Sequence, residues 1–140
     1  MTGSRDGPVI WPRPQGSVMA AVERRTVAIV DDDAAVRDSL RLLLEVIGYS
    51  VAAFGSAAEF LTADLCSMSC LILDHHMPET TGLELAERLW LDGVVIPILL
   101  VTGSPSPAIV ARAAQLGVDR VLEKPAGEDD VLNFIGALRS

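Results

Sequence analysis

Residues 70–78, CLILDHHMP, decide the fold of this chain, because an apolar run there ends in a carboxylate and a turn. An unbroken apolar run of this length is typical of a strand that is buried on both faces of a parallel sheet. The same pattern recurs at TVAIVDDD, residues 26–33, and at IPILLVT, residues 96–102. The carboxyl ends of parallel strands meet at one edge of the sheet, so the polar residues that end these runs are predicted to lie together.

Segments with strand and helix character alternate along the rest of the chain. Runs with strand character cover residues 26–30, 49–54, 70–74, 96–102 and 119–124. Runs with apolar residues at helical spacing cover residues 34–48, 56–64, 82–92, 105–117 and 128–139. The alternation predicts an α/β fold: a doubly wound, five-stranded parallel sheet of flavodoxin-like (βα)5 topology, with helices on both faces. Strand order 2-1-3-4-5 is expected, because the second and fifth strands are the most mixed in character and suit the edges.

The composition predicts one compact domain. The chain has 140 residues and half of them are hydrophobic, which is enough to bury a core. Residues 1–24 are rich in glycine, proline, serine and arginine and lack periodicity, so we predict a flexible N-terminal tail there. Residues 25–140 are predicted to form the folded domain.

Charge and hydropathy argue against several classes of function. The net charge is −8 and no stripe of basic residues exists, so direct nucleic-acid binding is not expected. No apolar run approaches the roughly 20 residues that cross a bilayer, and the N-terminus lacks a signal-peptide core. We therefore expect no membrane contact and a cytoplasmic location. Cys66 and Cys70 are too few for a zinc site and are expected to be reduced and mostly buried.

The predicted strand ends supply a set of groups that suits phosphoryl transfer. Clustered carboxylates repel one another, and a divalent cation with oxygen ligands, such as Mg²⁺, relieves that repulsion. A lysine adds a positive charge for an anionic ligand, and a threonine adds a hydroxyl. The sequence therefore predicts a phosphoryl-acceptor site with an aspartate nucleophile. The residues at the strand ends are Asp31, Asp32 and Asp33, then Asp74, Thr102 and Lys124.

Within that set, two aspartates have separate interpretations. Asp74 ends the third strand alone and is the predicted nucleophile. Asp33 directly precedes the first helix, so it is expected to be the N-cap of that helix rather than a metal ligand.

Four motifs resemble the receiver domain of two-component response regulators, and the resemblance extends over residues 25–139. The motifs are IVDDDAAVRDSL (29–40), LILDHHMPETTGLEL (71–85), ILLVTG (98–103) and GVDRVLEKP (117–125). The resemblance implies that Asp74 takes a phosphoryl group from a sensor histidine kinase or a histidine phosphotransfer protein. It also implies that the chain catalyses only its own phosphorylation and dephosphorylation and is not an enzyme in the usual sense.

The resemblance assigns roles to the other residues of the site. Mg²⁺ would be held by Asp31, Asp32, Asp74 and the backbone carbonyl of His76. Thr102 would contact the phosphoryl group and carry the switch. Lys124 would pair with the phosphate, and the peptide bond between Lys124 and Pro125 would be cis.

The chain departs from the family pattern close to the site. Val121 stands where an aromatic residue usually occurs three residues before the lysine, so the aromatic half of the switch is missing or replaced. Ala126 stands where phenylalanine often follows the Lys-Pro pair. His75 and His76 are an unusual pair after the phosphoacceptor. We hypothesise that His76 tunes the lifetime of the phosphorylated aspartate; a loop histidine that points to solvent is the alternative.

Two features of the sequence, its end at Ser140 and a predicted apolar surface, lead to expectations about binding partners. No output domain follows Ser140, so a stand-alone receiver, or a receiver cut from a longer regulator, is expected. In the family, the surface of the fourth helix, fifth strand and fifth helix is the usual output and dimer face. Ile109, Val110 and Val121 would add apolar area there, which makes this face a candidate homodimer surface.

Three other functions stay open at this point. A haloacid-dehalogenase-type phosphohydrolase also uses an aspartate nucleophile, but it needs a second aspartate where His76 stands and a cap-sized insertion. A flavodoxin-like cofactor binder needs a phosphate-cradling loop after the first strand, where three aspartates stand here. A degenerate receiver that never takes phosphate is disfavoured by the intact acidic, threonine and lysine positions, although Val121 keeps it open.

Overall fold

The computed structural model describes residues 26–138 of the chain. The tail that the sequence predicts over residues 1–24 lies outside the described residues, so the predicted domain boundary stays a prediction. Within the described part, no helix is long and apolar enough to span a bilayer.

Five parallel strands form one sheet in the order β2-β1-β3-β4-β5. The strands are β1 (Thr26–Val30), β2 (Ser50–Phe54), β3 (Met68–Asp74), β4 (Ile98–Thr102) and β5 (Arg120–Glu123). The α-helices are α1 (Ala34–Ile47), α2 (Ala57–Leu61), α3 (Gly82–Leu91), α4 (Pro107–Gln115) and α5 (Glu128–Ala137), and a short 3-10 helix (Leu65–Ser67) precedes β3. The predicted α/β fold and the strand order 2-1-3-4-5 are confirmed.

Both faces of the sheet are buried under helices, as the apolar strands predict. Successive side chains of a strand point to opposite faces. Leu73 and Leu100 therefore pack in one core cluster with Phe60 of α2, while Ile72 packs in a second cluster with Phe134 of α5. All five residues of β4 are buried, which is consistent with its place inside the sheet.

The ends of α1 are set by the residues that the sequence singles out. Asp33 Oδ1 accepts hydrogen bonds from the N–H groups of Ala35 and Val36 at 3.0 and 3.3 Å. Asp33 is therefore the N-cap of α1, as predicted. Gly48, with φ of 118°, ends the helix in the left-handed region, which glycine adopts without the strain of a side chain.

Several element boundaries differ from the predictions by a few residues, and two of these differences have local reasons. β4 begins at Ile98 rather than at residue 96, because Pro97 has no N–H to donate to a neighbouring strand. α2 ends at Leu61, short of residue 64. Asp64 instead caps the 3-10 helix, where its Oδ1 accepts the N–H of Cys66 at 3.2 Å.

Gly82 begins α3 at a point that has no room for a side chain. A Cβ at this position would lie 2.7 Å from the carbonyl oxygen of Asp74 and 2.7 Å from Leu100 Cδ1. The N–H of Gly82 donates to the carbonyl oxygen of His75 at 3.0 Å. The first turn of α3 is therefore pressed directly against the end of β3, and glycine is needed here for space.

Both cysteines are free, as predicted. Cys70 is buried in β3, but Cys66 is exposed in the 3-10 helix before that strand, so the expected burial is wrong for Cys66. Burial raises the pKa of the Cys70 thiol to about 11, so this thiol stays protonated and unreactive at neutral pH.

Candidate functional site

The fold brings the predicted site residues to one edge of the sheet. Asp31 follows β1, Asp74 ends β3, Thr102 ends β4 and Lys124 follows β5. Asp31, Asp74 and Thr102 are buried. Backbone hydrogen bonds fix the strand ends: the N–H of His75 donates to the carbonyl oxygen of Val101, and the N–H of Lys124 donates to that of Thr102, each at 2.9 Å. Rigid strands, rather than mobile loops, therefore position these groups.

The two carboxylate oxygens of Asp74 have different surroundings. Oδ1 lies 2.6 Å from Lys124 Nζ and accepts the N–H of His76 at 3.2 Å. Oδ2 is fully buried and has no hydrogen-bond partner among the described residues. A buried polar atom without a hydrogen-bond partner lowers the stability of the fold, so Oδ2 is available to a ligand that could satisfy it.

Three carboxylates form an acidic pocket at this edge. Asp31, Asp32 and Asp74 each offer an oxygen within 4.8 Å of the others. Burial raises the pKa of Asp31 to about 6, and the neighbouring charges of Asp74 and Asp32 add to this rise. The hydrogen bond from the N–H of Asp33 and the positive charge of Lys124 lower the pKa but do not outweigh burial. The pocket offers only oxygen ligands, its carboxylates repel one another, and one buried oxygen of Asp74 has no partner. These properties fit a hard divalent cation.

Lys124 is held in its charged form beside the acidic pocket. Burial lowers the pKa of Lys124, but its hydrogen bond with Asp74 and the charges of Asp74, Asp31 and Asp32 outweigh burial and raise the pKa. The peptide bond between Lys124 and Pro125 is cis, as the family resemblance implies. A permanent positive charge therefore faces the buried carboxylate.

His76 makes a contact that the sequence left undecided. Its Nε2 lies 3.0 Å from Thr102 Oγ1, and the same hydroxyl accepts the N–H of Ser104 at 3.2 Å. The imidazole therefore faces the threonine at the site and does not simply point to solvent. The position of the His76 backbone carbonyl relative to a metal stays a prediction.

His75 has a structural role in the same loop. Its Nδ1 accepts the N–H of Leu83 at 3.4 Å, and its ring meets that of His76 edge to face, with centroids 5.1 Å apart. Burial, followed by the charge of His76, lowers the pKa of His75. A neutral imidazole can keep the acceptor nitrogen that this contact with α3 needs.

Arg37 is a residue of the site that the sequence did not reveal. Its Nη1 donates to the carbonyl oxygen of Asp31 at 2.8 Å. The guanidinium thus ties the first turn of α1 to the loop that carries two of the three carboxylates. The sequence shows only an arginine in the first helical turn after the aspartates. Such an arginine is equally typical of a helix face exposed to solvent, so it did not indicate a role in the site.

Asp31→Asn is expected to stabilise the metal-free protein at pH 7 by about 3 kcal/mol. Because burial raises the folded-state pKa of Asp31 from 3.8 to about 6, the folded protein keeps a proton that the unfolded chain releases between those pH values. The wild type therefore loses stability as pH rises through this window. Urea unfolding of both proteins in chelator measures the difference, which should vanish below about pH 4. A wild type that is the more stable of the two at pH 7 would contradict the burial argument.

Comparison with known proteins defines the class of this domain. A family model described as the response regulator receiver domain matches residues 27–136, and the chain belongs to that family. Receiver domains act in two-component signalling with histidine kinases and are phosphoacceptors rather than classical enzymes. This result excludes the phosphohydrolase and the flavodoxin-like cofactor binder.

Individual relatives agree with the family match. The transcriptional regulatory protein TdiR of Thauera aromatica is 38% identical over 113 residues, which cover 80% of this chain and 50% of TdiR. FixJ of Bradyrhizobium diazoefficiens is 38% identical over 110 residues, which cover 78% of this chain and 54% of FixJ. The solved structure of the response regulator StyR matches with a TM-score of 0.75 and 37% identity, covering 81% of this chain and 58% of that one. The chain spans about half the length of the curated relatives it matches.

Proposed function

We propose that this receiver takes a phosphoryl group onto Asp74 and thereby switches the binding of a partner. The observation that supports this most directly is the buried Asp74 carboxylate, which has one oxygen held by Lys124 and the other without a partner. A structural ion pair would have both oxygens satisfied or exposed. The test is the intact mass of the protein after incubation with Mg²⁺ and a small phosphodonor, where an increment of one phosphoryl group is expected.

The proposed transfer is an in-line displacement on phosphorus. A carboxylate oxygen of Asp74 attacks phosphorus, the bond from phosphorus to the donor atom breaks, and the donor leaves with the bonding electron pair. Lys124 stays charged and neutralises the oxygens of the transferring group. Asp31, Asp32 and Asp74 would hold Mg²⁺, which supplies charge neutralisation for the phosphoryl oxygens when bound.

The donor is a phosphohistidine of a sensor histidine kinase or of a histidine phosphotransfer protein. The acidic pocket lies at the exposed edge of the sheet, where Asp32 is open to solvent. Its three carboxylates would repel a bare phosphate ion. A donor protein that presents its phosphohistidine directly, and a bound cation, would offset that repulsion.

Thr102 is proposed to carry the response to phosphorylation. Its hydroxyl is fully buried and bonded to His76 and to the N–H of Ser104. The phosphoryl oxygens on Asp74 would compete for that hydroxyl and draw Thr102 towards them. Val121 gives no aromatic ring to follow this movement, so the change would be passed on through Ser104 and the start of α4.

His76→Ala is expected to lengthen the lifetime of phosphorylated Asp74 roughly fivefold, the equivalent of one hydrogen bond of about 1 kcal/mol. His76 Nε2 lies 3.0 Å from the Thr102 hydroxyl and therefore competes with the phosphoryl group for it. Loss of the phosphoryl group from the intact mass after removal of the donor measures the lifetime. Asp38→Asn is the control, because the side chain of Asp38 lies on the exposed surface of α1, away from Thr102 and His76. Equal lifetimes for wild type and His76→Ala would end the hypothesis.

The partner surface is a second part of the proposal. On α4, Val110 is 49% exposed, while Ile109 of α4 and Val121 of β5 are half-buried. This apolar area supports the face of α4, β5 and α5 as a homodimer surface that phosphorylation would regulate. A cytoplasmic location and the lack of direct nucleic-acid binding by this domain stay predictions from its composition.

A further inference from the structure

A cavity of about 640 Å³ lies between α1 and α5 and reaches the acidic pocket. Leu40 and Leu43 of α1 and Val131 of α5 form its aliphatic walls, and Asp74 and Lys124 lie at its inner end. This volume falls in the range of small-molecule binding sites, which are mostly apolar and carry a few polar groups at one place.

The cavity exists because one lining side chain is small and because α1 is only partly packed against α5. Ala126 contributes to its lining at the position where the resembling family often has phenylalanine, so a methyl group stands where a ring would fill space. Along α1 only Leu44 is fully covered, whereas Val36, which also lines the cavity, is 40% exposed. The helix therefore does not close over α5, and an apolar space remains open to solvent.

Charge and shape restrict what the cavity can hold. Asp31, Asp74 and Glu128 line it together with one lysine, so an anion meets net repulsion. A cation would be drawn to the acidic pocket and away from the aliphatic walls. Apolar walls over most of the cavity favour an uncharged, rigid ring compound over a flexible chain, because a rigid molecule loses less conformational entropy when it binds.

We propose that the cavity between α1 and α5 binds a small, uncharged aromatic molecule of one or two rings. The site goes beyond the proposed phosphotransfer, because binding needs neither a cation nor a phosphorylated Asp74. It contacts the segment from Lys124 to Ala126 and therefore adjoins the phosphorylation site without using its chemistry.

The test is a titration of the metal-free 140-residue protein with indole, in which the NMR signals of the methyl groups are followed. Saturable shifts that are largest at Leu40, Leu43, Val131 and Ala126 are expected. Hexanoate, a flexible anion, serves as the second probe and is expected to bind at least about tenfold more weakly than indole. The absence of saturable shifts up to the solubility limit of indole, or tighter binding of hexanoate, would overturn the proposal.

Two variants locate the site. Ala126→Phe should occupy the part of the cavity beside Ala126 and weaken indole binding about tenfold or more, while Ala114→Phe, on the exposed surface of α4, should leave it unchanged. If circular dichroism shows that Ala126→Phe does not fold, Val36→Trp is the second variant. Val36 lies at the partly exposed rim of the cavity, where a larger side chain has room, and its replacement should weaken indole binding to the same extent. Unchanged affinity in a folded, filled variant would place indole elsewhere and refute the assignment. Because no phosphodonor is present, such a failure leaves the phosphorylation of Asp74 untouched.

Discussion

Asp74→Asn is expected to abolish phosphorylation of this protein completely. The amide that replaces the carboxylate is a poor nucleophile and removes one of the three charges that would hold a cation. The side chain keeps its size, so the buried site is not emptied. Intact mass after incubation with Mg²⁺ and a small phosphodonor should show one added phosphoryl group in the wild type and none in the variant.

Asp38→Asn is the matched control for this experiment. Asp38 lies on the exposed surface of α1 and carries the same charge, outside the acidic pocket. Its variant should be phosphorylated like the wild type. A wild type that takes no phosphoryl group from any donor would favour the degenerate receiver, and a phosphorylated Asp74→Asn would move the acceptor to another residue.

Gly82→Ala is expected to lower the free energy of unfolding by about 3 kcal/mol, the upper part of the range for over-packed positions. The added Cβ would lie 2.7 Å from the Asp74 carbonyl oxygen and 2.9 Å from His75 Cα. These are backbone atoms that cannot turn aside, so α3 must move away from β3. Urea unfolding measures the loss, and a slower phosphorylation of Asp74 should accompany it.

Gly136→Ala provides the comparison for Gly82→Ala. Gly136 lies inside α5, and a Cβ there meets no atom within 4 Å. Alanine should therefore be neutral or stabilise the protein by up to about 1 kcal/mol through its better helix propensity. Similar free energies of unfolding for both variants would contradict the prediction, because they would mean that α3 can shift away from β3 at no cost.

The fold was predictable because local and long-range signals agree in this sequence. Uninterrupted apolar runs predicted the central strands, and the sequence correctly predicted Asp33 as the N-cap of α1. Boundaries failed where a backbone or capping detail decided them, as at Pro97, which lacks an N–H, and at Asp64, which caps a 3-10 helix.

Proximity within the site was predictable, but its hydrogen bonds were not. Parallel strands must deliver their end residues to one edge, which is why the acidic pocket and Lys124 could be foreseen. The bond between His76 and Thr102 joins the loop after β3 to the end of β4, and its formation depends on a side-chain rotamer. The same holds for Arg37, whose contact with Asp31 depends on how α1 is oriented.

The unequal surroundings of the Asp74 oxygens have a consequence for docking. With Oδ1 fixed by Lys124 and the N–H of His76, the side chain cannot rotate to exchange its oxygens without breaking both contacts. In-line displacement needs the attacking atom, phosphorus and leaving atom on one line. A donor protein would therefore have one angle of approach, and partners could be discriminated by the orientation in which they bind as well as by the residues they touch.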